Sequence, residues 1–265
     1  MNKRILIVSL ARCGSSAIFE LVKKNLSSDC VGFFEPLYDS FLKEVMPCLD
    51  QGKQVCVKVI LRPYLDFKTD FEGRFDQVMG LVRDPRDNLI SRLLFRMVSP
   101  AFVENGEVYN DMLPLFEEKV ENPDSISVCD LFSQMEKTKL MEPMIQNRAR
   151  ENLDLFMDWH STSANCIIYR YEEFVRGNYD KITLITQRVD EVDASPVETI
   201  YPQIKRSGSI GDWRQWFTPS DVEFFRPRFS KYMKIYGYED EWDLPEKQRI
   251  DRSTSIDYVR KYAKL

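Results

Sequence analysis

The stretch KRILIVSLARCGSSAIFELVKKN, residues 3–25, decides the fold. Arg4 to Leu10 is a short run rich in Ile, Leu and Val, too brief for an amphipathic helix and long enough for a strand buried on both faces. It ends in Ala11-Arg12-Cys13-Gly14-Ser15-Ser16, and a helical pattern follows, with Ile18, Leu21 and Val22 on one side and Glu20, Lys23 and Lys24 elsewhere. A strand, a small-residue loop and a helix in that order aim backbone N–H groups and the positive end of the helix dipole at one point, and Gly14 lets a ligand approach the backbone closely. The stretch predicts an anion site, although a plain tight strand-to-helix connection has the same outline.

The phosphate-loop pattern G-x-x-x-x-G-K-[ST], laid over this stretch, aligns Ser9 with its first Gly, Gly14 with its second, Ser15 with its Lys and Ser16 with its Ser/Thr. The lysine is absent, and Arg12 stands before the glycine instead. Mg²⁺-dependent nucleotide hydrolysis therefore lacks a main part of its machinery.

A chain of 265 residues is long enough for one large α/β domain with a full core, two small ones being the lesser alternative. Its net charge of −5 argues against a general nucleic-acid binder, so any basic site must be local. The six cysteines (13, 30, 48, 56, 129, 166) include no C-x-x-C pair, and His160 is the single histidine, so no zinc constellation is apparent and the thiols read as reduced, in a cytoplasmic protein. Lys3-Arg4 leads into only a short apolar run, unlike a signal peptide, and no segment approaches the roughly twenty apolar residues of a membrane helix.

Along the chain, Val31-Gly32-Phe33-Phe34 predicts a second strand that delivers Glu35 to the carboxyl end of the sheet, beside the anion loop. The alternative is that Glu35 starts a helix with Pro36 at its first position. Gln54 to Leu61 predicts a third strand with Lys58 embedded among apolar neighbours. Such a lysine needs an anion or carboxylate to receive it, or else a solvated face. Gln77 to Val82 predicts a fourth strand running into Arg83-Asp84-Pro85-Arg86-Asp87, with Asp87 as N-cap of a helix whose apolar face is Leu89, Ile90, Leu93 and Leu94. Arg83 at the strand end and Ser91 in the first turns can reach one phosphate, or Arg83 simply caps the sheet.

The loop LARCGSS, the Arg-to-Ser spacing in LVRDPRDNLISR and the later RSGSIGDW (206–213) together resemble, in the same order, the sulfotransferases that use 3′-phosphoadenosine 5′-phosphosulfate (PAPS). FFEPLY is additionally similar to the strand end of the carbohydrate O-sulfotransferases. The resemblance covers a little under half of the chain. It implies a P-loop nucleoside-kinase-like α/β fold, with PAPS as sulfuryl donor and no metal. It further implies that Arg12 contacts the phosphosulfate while Cys13, Gly14, Ser15 and Ser16 cradle it. Arg83 and Ser91 match the pair that binds the 3′-phosphate. Arg206 and Gly208 match the element that closes on the same phosphate, with Ser207 in place of a lysine. Tyr171 matches a tyrosine near the adenine, and Lys58 the lysine of a K-T-H segment.

One departure bears on mechanism. The histidine of that segment is the family's general base, and Ile60 stands at its place here. Glu35 matches the glutamate that carbohydrate and some bacterial members use instead, and is the expected base ahead of His160. With Glu35, Arg12 and Lys58 as catalytic residues, an acceptor hydroxyl attacks sulfur in line while fixed cations and N–H donors stabilise the developing charge.

The stretch 98–163 carries Glu104, Glu107, Asp111, Glu117, Glu118, Glu121 and Asp124, interrupted by Pro100, Pro114 and Pro123, and reads as an acceptor-side helical insert or a plain solvated surface. Met135, Leu140, Met141, Met144, Ile145, Leu153, Leu155, Phe156 and Trp159 predict helices packed on the sheet. A fifth strand ends near Tyr171 and a helix spans residues 178–192. Gly208 and Gly211 mark a flexible loop. Thr218 caps a helix that begins at Pro219, buries Phe224, Phe225, Phe229, Tyr232 and Met233, and ends at Gly237. Residues 253–265 predict a short peripheral helix, with Tyr258 and Tyr262 on one face for packing or a subunit contact.

The expectation is one α/β domain over residues 1–265: a parallel sheet of about five strands flanked by helices. Its activity would be sulfuryl transfer from PAPS to a carbohydrate or small-molecule acceptor, with no nucleic-acid or membrane partner; the oligomeric state is open. The alternatives are a noncatalytic PAPS- or anion-binding protein and a P-loop nucleotide kinase.

Overall fold

The computed structural model of the chain describes residues 3–62, 72–140, 148–163, 165–187, 191–195 and 208–263. The elements follow as β1 (Arg4–Ser9), α1 (Ser15–Lys24), β2 (Val31–Phe34), α2 (Tyr38–Ser40), which continues through a π-helical turn (Phe41–Val45) into α3 (Met46–Asp50), then β3 (Val55–Ile60), β4 (Gln77–Val82) and α4 (Pro85–Met97). After them come α5 (Pro100–Val103), α6 (Gly106–Glu121), α7 (Val128–Lys137), α8 (Arg148–Thr162), β5 (Cys166–Arg170), α9 (Tyr171–Val175), α10 (Asp180–Thr186), α11 (Trp213–Trp216), α12 (Pro219–Tyr236) and α13 (Ile256–Ala263).

The chain divides into two compact units, Met1–Arg83 with Asn152–Ile200, and Asp84–Glu151 with Tyr201–Leu265. The first holds the sheet, five strands in the order β2-β3-β1-β4-β5, all pairs parallel. The expected α/β class with five parallel strands is therefore what forms. The central strands β1, β3 and β4 are buried along nearly their whole length, as their unbroken apolar runs require, whereas the edge strands β2 and β5 are mostly half-buried. Because β1 lies between β3 and β4, the strand order reverses at its carboxyl end, the position where open parallel sheets bind ligands. The loop 11–14 leaves the sheet at that point.

In the second unit, α4 buries Leu89, Ile90, Leu93 and Leu94, while α6, α7 and α12 contribute Phe116, Phe132 and Phe229 to its interior. Asp221 organises this core. Its carboxylate is fully buried and accepts from the N–H groups of Val128 and Cys129, each at 2.9 Å, and from Thr218 N–H at 2.9 Å, so one charge serves the starts of both α7 and α12. The Thr218 cap, the Pro219 start and the Gly237 stop are as the sequence predicts.

Several expectations are corrected. Asp84, not Asp87, is the N-cap of α4 and accepts from Arg86 N–H at 2.9 Å, because Pro85 occupies the first helical position. Pro36 starts no helix, since α2 begins at Tyr38 after Leu37. The helix expected over 178–192 covers only Asp180–Thr186 and stops where Gln187 turns left-handed at φ 49°. Phe224 is half-buried, with the Arg228 guanidinium 3.6 Å from its ring centre. Pro114 sits inside α6 without ending it. Glu104, Glu107, Asp111, Glu118, Glu121 and Asp124 are exposed, and half-buried Glu117 pairs with Arg260. Of the residues expected to pack on the sheet, Leu153, Phe156 and Trp159 are buried, with Trp159 lying against Gly80 of β4, while Met135 is in the core of the second unit. Met141, Met144 and Ile145 lie outside the described residues. The C-terminal helix α13 packs against α4 and α6 and buries Ile256, Tyr258, Val259 and Ala263.

Candidate functional site

The loop after β1 turns left-handed twice, at Arg12 (φ 70°) and at Gly14 (φ 76°), and so folds back over the strand end before α1 begins. Gly14 is the N-cap of α1 and, having no side chain, gives it none to bond, unlike Asp84, Asn105, Ser127 and Thr218, which cap α4, α6, α7 and α12. The first-turn amides of α1 are left to an outside acceptor. Gly14 has a second reason to be glycine: a β-carbon there would stand 2.7 Å from Cε2 of Tyr171 and nearer still to Cδ2. Cys13 and Ser15 are buried under this turn, while Arg12 and Ser16 are half-buried.

Tyr171, the first residue of α9 at the end of β5, thus closes on the loop with one side of its ring. The Arg83 guanidinium, at the end of β4, lies 4.2 Å from the ring centre. Arg83 is 6% exposed and donates through Nη1 to the Arg12 carbonyl at 3.1 Å, while its Nε is buried with no hydrogen-bond partner among the described residues. A buried guanidinium N–H without an acceptor is costly, and an anionic ligand oxygen would satisfy it. Gly14, Arg83 and Tyr171 come from the ends of three strand-linked segments, so only the parallel sheet brings them together.

On the other side of β1 the site is built by β2 and β3. Glu35 follows β2 with a left-handed backbone (φ 50°), anchored by its N–H to the Lys58 carbonyl at 2.8 Å. For a non-glycine residue this conformation carries strain. It delivers the Glu35 carboxylate to the Lys58 ammonium as an ion pair. Lys58 is 1% exposed, and its Nζ also donates to Ser16 Oγ at 3.2 Å and lies 3.9 Å from the centre of the Phe34 ring. Burial pushes the Lys58 ammonium below the ordinary lysine range, against the opposing pull of Glu35. The expected receiver for this embedded lysine is therefore Glu35, with Ser16 linking the pair to the loop.

The second unit holds the other matched motifs. Ser91 is buried in α4. Gly208 has φ 71°, while Arg206 and Ser207 lie outside the described residues. Asp87, freed from capping, accepts Gly211 N–H at 2.6 Å and Trp213 N–H at 3.0 Å, so the loop expected to be flexible is pinned to α4 at its far end. Arg86 bonds Asp84 at 2.7 Å and lies against the rings of both Trp213 and Trp242, 4.1 and 4.9 Å from their centres. These anchors escaped the sequence reading. The signal that could have found them is Pro85, which marks the first helical position and so releases Asp87. His160 stands in the last turn of α8, ahead of the start of β5, whereas Glu35 follows the end of β2. Burial lowers the pKa of His160.

Among the described residues no group of His, Cys, Asp or Glu could hold a metal ion, no disulfide forms, and no helix is long and apolar enough to cross a membrane.

No family model matches the sequence, and no curated protein matches it. Among solved structures, the fold is similar to that of mouse sulfotransferase SULT7A1 in its crystal structure complexed with PAP, with 16% sequence identity and a TM-score of 0.56 over 88% of this chain and 86% of that chain. At that identity the likeness establishes the shared fold.

Proposed function

We propose that this chain is a PAPS-dependent sulfotransferase that transfers a sulfuryl group to an acceptor hydroxyl, with Glu35 as general base and a carbohydrate or small alcohol as acceptor. The observation that carries the reading is the Gly14–Arg83–Tyr171 assembly: a buried guanidinium with an unsatisfied Nε, beneath an aromatic ring, beside a helix N-terminus with no side-chain cap. Those are groups suited to phosphate and to a flat heterocycle, and they sit on the fold of an enzyme crystallised with PAP. The residues present therefore fit the donor.

When bound, the donor supplies a sulfuryl group already joined to a good leaving phosphate. Arg12 and the first-turn amides of α1 hold anionic oxygens, and Cys13, Ser15 and Ser16 shape the cradle. Arg83 and Tyr171, with Ser91, Arg206, Ser207 and Gly208, complete the nucleotide site in this reading. Lys58 contributes a cation at a nearly dry position and orients the Glu35 carboxylate, which takes the proton from the attacking hydroxyl. Ile60, at the place of the family's histidine, cannot take a proton, which supports Glu35 as the base. Residues 1–265 act as one domain in which the helical stretch 98–163 selects the acceptor, and FFEPLY supports a sugar.

Calorimetric titration with 3′,5′-adenosine bisphosphate, 5′-AMP, and ATP with Mg²⁺ tests the reading. Marked preference for the bisphosphate is expected. Equal or tighter binding of ATP with Mg²⁺ would overturn it in favour of a nucleotide kinase. Bisphosphate binding with no turnover over a broad panel of sugars and alcohols would leave a noncatalytic binder.

A further inference from the structure

Asp87 is an aspartate 2% exposed, four residues before Ser91 on the same helix. Residues four apart share a helix face, with β-carbons about 5–6 Å apart. The carboxylate of Asp87 therefore stands one turn above the Ser91 hydroxyl. It does not cap α4, since Asp84 does. One of its oxygens accepts the N–H of Gly211 and the other that of Trp213, residues 124 and 126 positions away in the chain.

We infer that Asp87 is a positioning residue for the phosphate subsite: it fixes the segment 208–213 over the α4 face that carries Ser91, and so sets where Gly208 can meet a ligand phosphate. The inference rests on the nucleotide-binding reading above. A carboxylate cannot itself grip a phosphate, because the two charges repel. Its influence must pass through the backbone it holds. Gly211 adopts φ 86°, a conformation that exposes its N–H to Asp87 at little cost only for glycine. The segment is braced a second time by Ser209 Oγ, which donates to Asp212 at 2.5 Å, and the indole of Trp213 is held against the Arg86 guanidinium. What reaches Asp87 is thus a short, shaped turn and not a slack loop. An asparagine in its place offers one acceptor oxygen, so one of the two N–H groups loses its partner and the other loses a charge-assisted bond.

The test is Asp87→Asn, with Asp87→Glu as a second variant that keeps the charge but moves it by a methylene. Affinities for 3′,5′-adenosine bisphosphate and for 5′-AMP are measured by calorimetry, and amide hydrogen exchange is followed over residues 208–213. The expected result is about tenfold weaker bisphosphate binding, unchanged 5′-AMP binding, and faster exchange at Gly211 and Trp213. A general loss of structure would weaken both nucleotides alike, and that outcome overturns the positioning role. So does faster exchange with bisphosphate affinity unchanged, or exchange that does not alter at all. If the variants do not fold, the wild-type protein decides: bisphosphate, and not 5′-AMP, should slow exchange across residues 208–213, and equal slowing by both refutes the inference. Failure of the underlying reading shows separately, as wild-type protein that does not prefer the bisphosphate over 5′-AMP.

Discussion

Replacing Gly14 with alanine is the most direct perturbation of the loop. A β-carbon at φ 76° costs about 1–2 kcal/mol for an L residue. The same carbon would meet the Tyr171 ring at 2.7 Å from Cε2, so the ring must swing away and give up its stacking on Arg83, worth about 0.5–2 kcal/mol. The alanine also narrows the unfolded ensemble, which returns about 0.4–1 kcal/mol. The net destabilisation expected is about 1–3 kcal/mol, read as a lower urea midpoint at unchanged slope. Ligand binding should suffer with it, because Arg83 loses the ring that holds its guanidinium in place. A double-mutant cycle isolates the clash. With Tyr171 already changed to alanine, Gly14→Ala should cost about 1 kcal/mol or less, because only backbone strain remains. Equal costs in the two backgrounds would refute the idea that Tyr171 seals the loop. A Gly14→Ala protein as stable as the parent would refute the strain argument as well.

Glu35→Gln should lower kcat by about 10² to 10⁴ while leaving donor affinity intact, measured by sulfate transfer and bisphosphate titration; normal turnover would reduce Glu35 to the structural partner of Lys58. Arg83→Ala should weaken 3′,5′-adenosine bisphosphate by about 10- to 100-fold, the worth of a hydrogen bond from a charged group, and equal affinity would remove Arg83 from the site. Lys119 is fully buried, donates to the Pro123 carbonyl, and is pushed by burial from 10.5 down to about 8 despite the nearby Asp221, Asp124 and Asp130. Between those two values the unfolded chain holds a proton that the folded chain does not, so stability should climb as pH rises from about 8 towards 10.5, by at most about 1.4 kcal/mol per pH unit. Urea unfolding of the wild type against Lys119→Met from pH 7.5 to 9.5 checks this, and a pH-independent difference between them would sink it.

The strands were legible because a parallel strand buried on both faces writes itself as an unbroken apolar run, as in ILIV, VCVKVI and QVMGLV. The charge at Lys58 was equally legible as a demand for a partner, since an ammonium cannot sit unpaired in such a run. Asp84 and Asp87 were harder. Either aspartate suits a helix start, and the choice depends on whether the helix begins at Pro85 or beyond it. The end of the helix after β5 was misjudged because Gln187 ends it by turning left-handed, a backbone choice that its side chain does not announce.

What the sequence by itself determined is local: the β1-loop-α1 unit, the identity of the groups that meet anions, and the order of the strands along the chain, all set by short-range sterics and apolar periodicity. Which of those groups touch was decided only by tertiary structure. The parallel order β2-β3-β1-β4-β5 brings the ends of β2 and β3 together, so that Glu35 finds Lys58, and carries Tyr171 from the end of β5 onto Gly14 and Arg83. The left-handed turn at Glu35 belongs to the same class, because it is held by a hydrogen bond to Lys58 across the sheet. Contacts between residues far apart in the chain depend on strand order and register, and neither is written in any one segment.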